Sequence, residues 1–461
     1  MGNTINIRKG LDIRLVGEAD KVIVQGQMPE IVAIKPTDFV GARPKALVNV
    51  GDEVLAGTPV LMDKHNPAYQ VVSPVSGEVV ELVRGAKRKL LAIKILVDKE
   101  TRYMDAPVLD WKAASQEELC SFLGDRGGWA FIRTKPYDAV AFPDIKPKAV
   151  FVSAFDTAPL AADVEFLMQG KEKDFALGLE VLAKVSGAKV HLNLHDKLNT
   201  NKVFTEAQGV EKHVFSGKHP ASSVSVQAHH IDPINRGEFI WYVHPVDVAL
   251  IGKLCTTGQY DATRLVAVAG PKVKKGKYMR TVLGAQLKHI ATDDNLEDST
   301  FGNRYISGNV LSGDKEGPEG YLGMFHHQVT VLAEGKHKEF FGWAAPGLNK
   351  FSASRTFFSW MMPGKKYALT TNKNGEERAF VVTGEYDKVF PMDIYPVQLL
   401  KAIHTGDIEL QEQLGIYEVS PEDFALCEFV CTSKIESQQM VRQAHDVLYG
   451  ELVQSMKEPV H

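Results

Sequence analysis

Aromatic and basic side chains alternate between Trp129 and Tyr137, in a stretch that also contains Phe131, Arg133 and Lys135. Aromatic faces can stack on a planar ring such as a quinone, while an arginine or lysine donates a hydrogen bond to a ring carbonyl and stabilises developing negative charge. The same residue types also fill packed loops and cores. The stretch therefore indicates either a binding surface for a planar carbonyl compound or a packed loop.

A second mixed stretch covers residues 349–362. It contains three phenylalanines, one tryptophan and two adjacent methionines, together with Lys350 and Arg355. Aromatic residues, methionine and arginine are enriched in protein–protein interfaces. We predict that this stretch contacts another protein of a complex, and a core helix or packed loop is the alternative.

The glycines just before Trp129 are similar to those of a flavin-binding loop. Residues 124–135 resemble the flavin- and NADH-binding loop of respiratory complex I and of the Rnf complex C subunit, where small residues let backbone N–H groups approach a phosphate. Here Trp129, Ala130 and Ile132 stand where that loop has alanine, glycine and proline. We interpret the segment as a nucleotide site that has been lost. The other usual phosphate-binding motifs are also missing from the sequence.

The cysteines do not form a cofactor motif. Four cysteines in 461 residues are too few for a disulfide framework and fit reduced thiols. Cys427 and Cys431 keep the last spacing of a ferredoxin run, but Thr432 replaces the proline and the two upstream cysteines are missing. We expect both to be small buried residues on one helix face.

The histidines do not suggest a metal site either. The pairs at 229–230 and 326–327 are adjacent in sequence, and residues adjacent on a strand point to opposite faces. His191 and His195 lie in a segment that alternates like a strand. We predict no metal-binding residue and no catalytic residue, since a Gly-x-Ser-x-Gly motif is also missing.

The bulk composition limits the classes of function. With 53 basic and 57 acidic side chains the net charge is −4, which argues against nucleic acid as a partner. No apolar run reaches the length of about 18 residues that a spanning helix needs, and no export signal precedes the first strand. We predict a protein on the cytoplasmic side of the membrane, held there only through partners.

Valine-rich short strands between residues 31 and 97 resemble the biotinyl/lipoyl carrier fold. The similar sequence motifs at 48–54 and 73–79 each place a glycine after a strand, which suggests two similar halves packed face to face. In carriers of this fold a modified lysine lies at a hairpin tip, and Lys64 would be that lysine. An ordinary exposed turn lysine is the alternative.

The pattern of the rest of the sequence, together with the barrel-sandwich region, predicts an α/β multidomain protein. A strand at 149–153, a helix around 175–185 and a strand at 189–194 indicate a Rossmann-like unit with a parallel sheet. The strand-rich region from 263 to 332 resembles a β-grasp, soluble-ligand-binding module, and the C-terminal part is helical. We place a barrel-sandwich domain with an N-terminal extension at 1–110, the α/β domain at 111–260, the β-grasp domain at 261–345 and a mainly helical domain at 346–461.

Along almost the whole chain, short sequence motifs in a fixed order resemble those of the A subunits of the bacterial Na+-translocating NADH:quinone reductases. They lie at residues 7–12, 40–44, 84–88, 156–160, 252–258, 306–308, 320–323, 341–343 and 429–431. The resemblance implies a peripheral member of an enzyme complex that carries electrons from NADH to quinone and exports Na+. The isolated chain would be inactive.

The resemblance also implies partners and candidate residues. The partners would be quinone and the B to F subunits, especially the membrane-embedded B subunit. The flavins FMN, FAD and riboflavin and the iron–sulfur centres would lie in those other subunits, with no cofactor on this chain. Matching the family's quinone-contacting stretches gives these candidates: Phe39, Arg43, Phe131, Arg133, Lys135 and Tyr137.

Three other hypotheses stay open at this point. The chain could be a structural scaffold of the same kind of complex. It could be a lipoyl- or biotin-type carrier that uses Lys64. It could also be an NADH-oxidising flavoprotein.

Overall fold

The computed structural model describes residues 4–105, 108–336, 341–342 and 347–457. Trp343 of the sequence motif at 341–343 and the predicted domain boundary at 345 and 346 lie outside the described residues. Within the described ranges, no helix has both the length and the apolar character needed to cross a bilayer.

The N-terminal extension contributes strands to two sheets built mainly from later parts of the chain. β1 (Ile5–Ile7) pairs in parallel with residues 215–217, and β2 (Ile23–Gln25) pairs in parallel with residues 278–280. The extension therefore connects regions that the sequence assigns to three different domains.

Residues 31–97 form two small antiparallel sheets, as the valine-rich pattern predicts. The first has the order β3-β9-β8-β5 and the second the order β4-β6-β7. A Cβ on Gly77, the glycine of the motif at 73–79, would lie 1.9 Å from the carbonyl oxygen of Leu96, so only glycine fits between the strands. The strands are β3 (Ile31–Ile34), β4 (Pro44–Ala46), β5 (Glu53–Val54), β6 (Pro59–Asp63), β7 (Gln70–Val72), β8 (Gly77–Arg84) and β9 (Leu90–Val97).

The next region is built on a six-stranded sheet of order β1-β13-β12-β11-β14-β10. β11 to β14 are parallel, as predicted, and β10 is antiparallel at one edge. The strands are β10 (Arg133–Lys135), β11 (Ala149–Ser153), β12 (Lys189–His195), β13 (Glu211–Gly217) and β14 (Ile240–Tyr242). The helices are α1 (Gln116–Asp125), α2 (Val164–Leu167), α3 (Glu172–Ser186), α4 (Lys202–Thr205), α5 (Val224–Ile231) and α6 (Pro245–Thr257).

Two glycines let α3 and α6 approach each other at backbone distance. A Cβ on Gly178 would lie 2.0 Å from the carbonyl oxygen of Val248, and one on Gly252 would lie 1.9 Å from that of Asp174. Side chains would separate the helices and open the core between them. This contact fixes α6, whose N-terminus follows directly after β14.

The third sheet has the order β18-β17-β19-β15-β16-β2. Its strands are β15 (Thr263–Ala269), β16 (Lys277–Val282), β17 (Asn303–Ser307), β18 (Asp314–Glu316) and β19 (Gln328–Ala333), with α7 (Leu287–Ile290) between β16 and β17. The strand-rich character predicted for 263–332 is confirmed. The β-grasp assignment stays a prediction.

The C-terminal helices begin at Tyr386, whereas described residues 347–385 contain only a 3-10 turn, Phe358–Met361. The helices are α8 (Tyr386–Val389), α9 (Pro396–Thr405), α10 (Ile408–Gln413), α11 (Ala425–Val430) and α12 (Ser437–Ser455). Cys427 and Cys431 are buried as predicted, although Cys431 lies just past the end of α11. All four cysteines are free thiols.

Candidate functional site

The glycine-rich loop after α1 packs against the barrel, which fills the space beside its glycines. A Cβ on Gly124 would lie 2.1 Å from the carbonyl oxygen of Ala68, and one on Gly127 would lie 2.6 Å from the side chain of Val72. Trp129 is fully buried beside them. These residues do not fit a flavin or nucleotide phosphate, because the protein itself occupies the space that the glycines leave.

Arg133 and Lys135 project from the same face of β10, two residues apart. Both cations lie over the ring of Tyr242 on β14, with the Arg133 Cζ 4.5 Å and the Lys135 Nζ 5.0 Å from the ring centroid. Tyr242 is directly opposite Arg133 in the antiparallel register, which fixes this contact. Burial raises the pKa of the Tyr242 phenol, which donates a hydrogen bond to Asp138 at 2.9 Å.

The guanidinium of Arg133 contacts two aromatic rings and forms no ion pair with a carboxylate among the described residues. Its Cζ lies 4.5 Å from the ring centroid of Tyr242 and 4.3 Å from that of Phe325. Within the described part of the chain its half-buried side chain makes no ion pair and no hydrogen bond. Cation–π contacts of this kind contribute about 1–2 kcal/mol, and the guanidinium keeps N–H donors for another acceptor.

Phe39, Phe131 and Phe325 form an aromatic cluster where the barrel, the α/β sheet and the third sheet meet. Phe325 packs edge-on, 5.8 Å from Phe39 and 6.3 Å from Phe131 between centroids. Tyr260 stacks on Phe131 at 6.4 Å. The structure therefore brings three of the six candidates, Phe39, Phe131 and Arg133, together around Phe325.

A narrow cleft reaches this cluster from the barrel side. Its lining includes Lys35, Asp38, Phe39, Tyr260 and Met324. Burial raises the pKa of Asp38 to about 6, although the nearby Lys35 ammonium opposes the shift. The cleft's volume of about 10 Å³ holds no more than about one water molecule, and Phe39 and Tyr260 are buried beside it.

Lys135 serves a buried ion-pair network. Its side chain is 1% exposed, and its Nζ lies 2.6 Å from Asp138 and 3.1 Å from Glu422. Burial alone would lower the pKa of Lys135, but these two carboxylates raise it. Asp138 also pairs with Arg442 of α12 at 3.1 Å. The charge of Lys135 is thus already compensated within the protein.

Tyr137 and Arg43 lie outside the cluster. Tyr137 is buried against α12, with its ring centroid 5.6 Å from that of Tyr449 and 5.8 Å from that of His445. Arg43 is exposed after the turn that carries Phe39, and within the described residues its side chain has no hydrogen bond, ion pair or ring contact. The six candidates do not form one site.

A buried polar group borders the aromatic cluster. Arg264 lies 5.4 Å above the Phe131 ring and forms a 2.7 Å ion pair with Asp247 on the first turn of α6. His244, which caps α6, stacks on His327 at 4.1 Å. Neither ring nitrogen of His327 has a partner in the described structure.

Burial controls the charge state of this group. It lowers the pKa of His244 to about 3, and Arg264 and Arg133 add to the effect. Burial lowers the pKa of His327 well below its ordinary value, and His244 and Arg264 lower it further. Burial also lowers the pKa of Lys171 to about 8. Both histidines are therefore neutral, and the local positive charge comes from arginine and lysine.

A second cavity, of about 330 Å³, lies at the carboxyl ends of β11 and β12. This edge is where an α/β sheet with this strand order usually binds its ligand. The lining carries five carboxylates against Arg14 and Lys366: Asp12, Glu18, Asp156, Asp163 and Glu165. Such a lining disfavours a nucleotide phosphate, in agreement with the loss of phosphate-binding motifs.

Four further residues around the site were not predicted from the sequence: Phe325, Tyr242, Tyr260 and Arg264. Each contacts a candidate from more than one hundred residues away, so no local spacing could select it. The one available signal was the phrase at 325–327, where an aromatic residue precedes two histidines.

Family models match most of the chain. The "NqrA N-terminal barrel-sandwich hybrid domain" matches residues 5–98, the "NqrA second alpha/beta domain" matches 114–260, and the "NQRA C-terminal domain" matches 265–316. The first two confirm the barrel-sandwich and α/β domains.

Relatives match over nearly full length. The A subunit of the Na(+)-translocating NADH-quinone reductase of Rhodopirellula baltica is 38% identical over 95% of this chain and 96% of its own. The corresponding protein of Vibrio atlanticus is 38% identical over 97% of this chain and 100% of its own. An NAD+-reducing [NiFe]-hydrogenase structure gives a TM-score of only 0.34 at 12% identity, over 68% of this chain and 57% of that chain. The chain therefore belongs to the family of the A subunits of Na+-translocating NADH-quinone reductases.

Proposed function

We propose that this chain is a peripheral, cofactor-free subunit of a Na+-translocating NADH:quinone reductase, on the cytoplasmic side of the bacterial inner membrane, and that it helps to bind or position quinone. Its partners are the other subunits, B to F, and above all the membrane-embedded B subunit. Membership in this family supports the assignment to that enzyme complex. The site around Arg133 supports the role in quinone handling.

The guanidinium of Arg133, which forms no ion pair and no hydrogen bond within the described residues, carries the proposal. A quinone is planar and has carbonyl acceptors at its ring edge, which match the N–H donors of a half-buried arginine. The half-buried ring of Phe325 supplies apolar surface next to that charge, and the buried Phe39 and Phe131 pack against Phe325. As quinone gains electrons its oxygens become negative, and a fixed cation in a low-dielectric site stabilises that charge.

Two other functions fit the structure less well. As a carrier the chain would need a mobile lysine tip, but the loop of Lys64 is tied down by Asn66, which is buried and donates to Ala141 at 2.9 Å. As an NADH-oxidising flavoprotein it would need the glycine cradle that Ala68 and Val72 now fill.

A scaffold function remains the main alternative, and an exposed apolar turn favours it. Phe358, Trp360 and Met361 are 40%, 52% and 61% exposed, within the stretch predicted to contact another protein of the complex. A subunit that only holds the complex together would need this surface and not the charge of Arg133.

A quinone titration of the purified full chain separates the two functions. Trp129 and Trp241, whose ring centroids lie 5.3 Å apart next to Tyr242, report on the cluster by fluorescence. We expect saturable quenching by a short-chain quinone that weakens about tenfold, or about 1.4 kcal/mol, in Arg133→Gln. The exposed Arg8→Gln is the control and should bind as the wild type does. Absence of saturable quenching by the folded protein would favour the scaffold function.

A further inference from the structure

Three metal-ligating side chains meet on one face of the α/β sheet, away from the aromatic cluster. His191 on β12 lies opposite Glu211 on β13 in the parallel register, and His213 follows two residues later on the same face of β13. Because two strands contribute, the spacing of histidines along one strand gives no hint of this arrangement.

The potential ligand atoms are close together. The Nδ1 atom of His191 lies 2.9 Å from Nε2 of His213 and 3.6 Å from Oε2 of Glu211. One ligand atom from each of the three residues lies within 4.8 Å of the others. Zn–N bonds of about 2.0–2.1 Å at a tetrahedral angle separate two nitrogens by about 3.3 Å, so the two rings need to part by only about 0.4 Å.

The surroundings orient the ligand side chains, and the hydrogen bond between His191 and His213 is the contact that a bound ion would replace. Phe151 stacks on His191 at 4.9 Å and fixes the plane of its ring. Lys189 takes the other oxygen of Glu211, Oε1, at 2.6 Å, which leaves Oε2 facing the histidines.

A second cluster of potential metal ligands has suitable spacing, but the charges around it disfavour a cation. His244, Asp247 and His327 also bring ligand atoms within 4.8 Å. There, however, Asp247 already pairs with Arg264 at 2.7 Å, and the positive charges of Arg264 and Lys171 lower the pKa of His327. A divalent cation would be repelled at that place. At His191, by contrast, the charged neighbours include the carboxylates of Glu211 and Asp232 as well as Lys189.

We propose that His191, Glu211 and His213 bind a divalent transition-metal ion, with zinc as the best match, and that this ion joins β12 to β13. Two imidazoles and one carboxylate form a set that suits Zn2+, with water as the fourth ligand. This differs from the sequence expectation of no metal site, which weighed only histidines adjacent in sequence or four residues apart on one segment.

The test is a titration of the chelator-treated full chain with Zn2+ in competition with a chromophoric chelator. We expect one Zn2+ per chain and a higher apparent Tm with the ion bound. Loss of an outer-shell partner already weakens metal affinity about 10–100-fold, so His213→Gln and Glu211→Gln should each lose at least about tenfold. The exposed His404→Gln on α9 should keep the wild-type affinity.

Co2+ provides a readout that does not depend on variants. We expect a visible spectrum of a four- or five-coordinate site with nitrogen and oxygen ligands, without the thiolate charge-transfer band that a cysteine site would give. Circular dichroism confirms that each variant is folded. The proposal is overturned if the wild type binds no Zn2+, if His213→Gln binds as tightly as the wild type, or if Co2+ shows thiolate ligation.

Discussion

The guanidinium of Arg133 stacks on the ring of Phe325 at 4.3 Å, and this contact joins the edge of the α/β sheet to the segment that leads into β19. The ring of Tyr242 lies 4.5 Å from the same guanidinium. Asp138 and Asp247 interact with this charge at longer range, but within the described chain the guanidinium forms no ion pair and no hydrogen bond. Its N–H donors are therefore suited to an acceptor from outside the chain. The first prediction follows from this arrangement.

Replacing Arg133 with lysine should weaken quinone binding nearly as much as replacing it with glutamine. An ammonium is not planar, so it cannot stack on an aromatic ring while it presents in-plane donors, and charge alone does not restore the site. We expect a dissociation constant about tenfold above that of the wild type in both variants. Wild-type affinity in Arg133→Lys would show that only the charge matters.

Breaking the buried ion pair of Arg264 and Asp247 should destabilise the protein, whereas replacing both residues with apolar ones should be tolerated. Asp247→Ala leaves Arg264 as an uncompensated charge at 1% exposure and should cost about 3–5 kcal/mol of unfolding free energy. The double variant Arg264→Met with Asp247→Leu removes both charges and should be much closer to the wild type. Chemical unfolding of the two proteins measures this, and equal losses would contradict it.

Two helix glycines should respond to alanine with opposite sign. In Gly252→Ala the new Cβ would lie 1.9 Å from the carbonyl oxygen of Asp174, so α3 and α6 must separate at a cost of about 1–3 kcal/mol. Gly450 in α12 has nothing within 4 Å of the same position. Gly450→Ala should therefore stabilise by about 0.5–1 kcal/mol through helix propensity. Thermal unfolding of the pair checks both signs.

The sequence predicts those parts of the fold that depend on local pattern. The strands at 149–153 and 189–194 follow from short valine- and leucine-rich runs. Strands β1 and β2 could not be assigned to their sheets. Three-residue strands that pair with partners about two hundred residues away carry no local signal of that pairing.

At the candidate site, the local sequence pattern identified Arg133 and the ring of Phe131 but not the residues that pack against them. Phe131 and Arg133 are close in sequence, whereas Phe325 comes from another sheet. Lys135 stays beside Arg133 over the Tyr242 ring, but Asp138 and Glu422 already compensate its charge. Tyr137 lies outside the site because the chain turns after β10, where Tyr137 and Asp138 have φ angles of +86° and +62°. Spacing in a linear stretch cannot show such a turn when no glycine marks it.

His445 should make the protein less stable in acid. Burial lowers its folded-state pKa to about 4 from 6.5, even though its Nε2 hydrogen-bonds the carbonyl of Ile416. Between those values the unfolded chain binds the extra proton. Stability is therefore fully present above pH 6.5 and falls as the pH decreases, by up to about 1.4 kcal/mol per pH unit. In His445→Gln this slope should be smaller, as measured by urea unfolding from pH 7 to 5. Parallel profiles for the two proteins would contradict the assignment.

The exposed turn at Phe358–Met361 should matter for assembly and not for folding. Trp360→Ala removes a ring that is 52% exposed, so the unfolding free energy of the isolated chain should change by less than about 0.5 kcal/mol. If the ring is an anchor in the complex, its loss should weaken binding to the other subunits by about 2 kcal/mol, or about 30-fold. Val22→Ala, at a position that is 57% exposed, is the matched control. Unchanged binding of Trp360→Ala to the remaining subunits would place the docking surface elsewhere and remove the main support for the scaffold function.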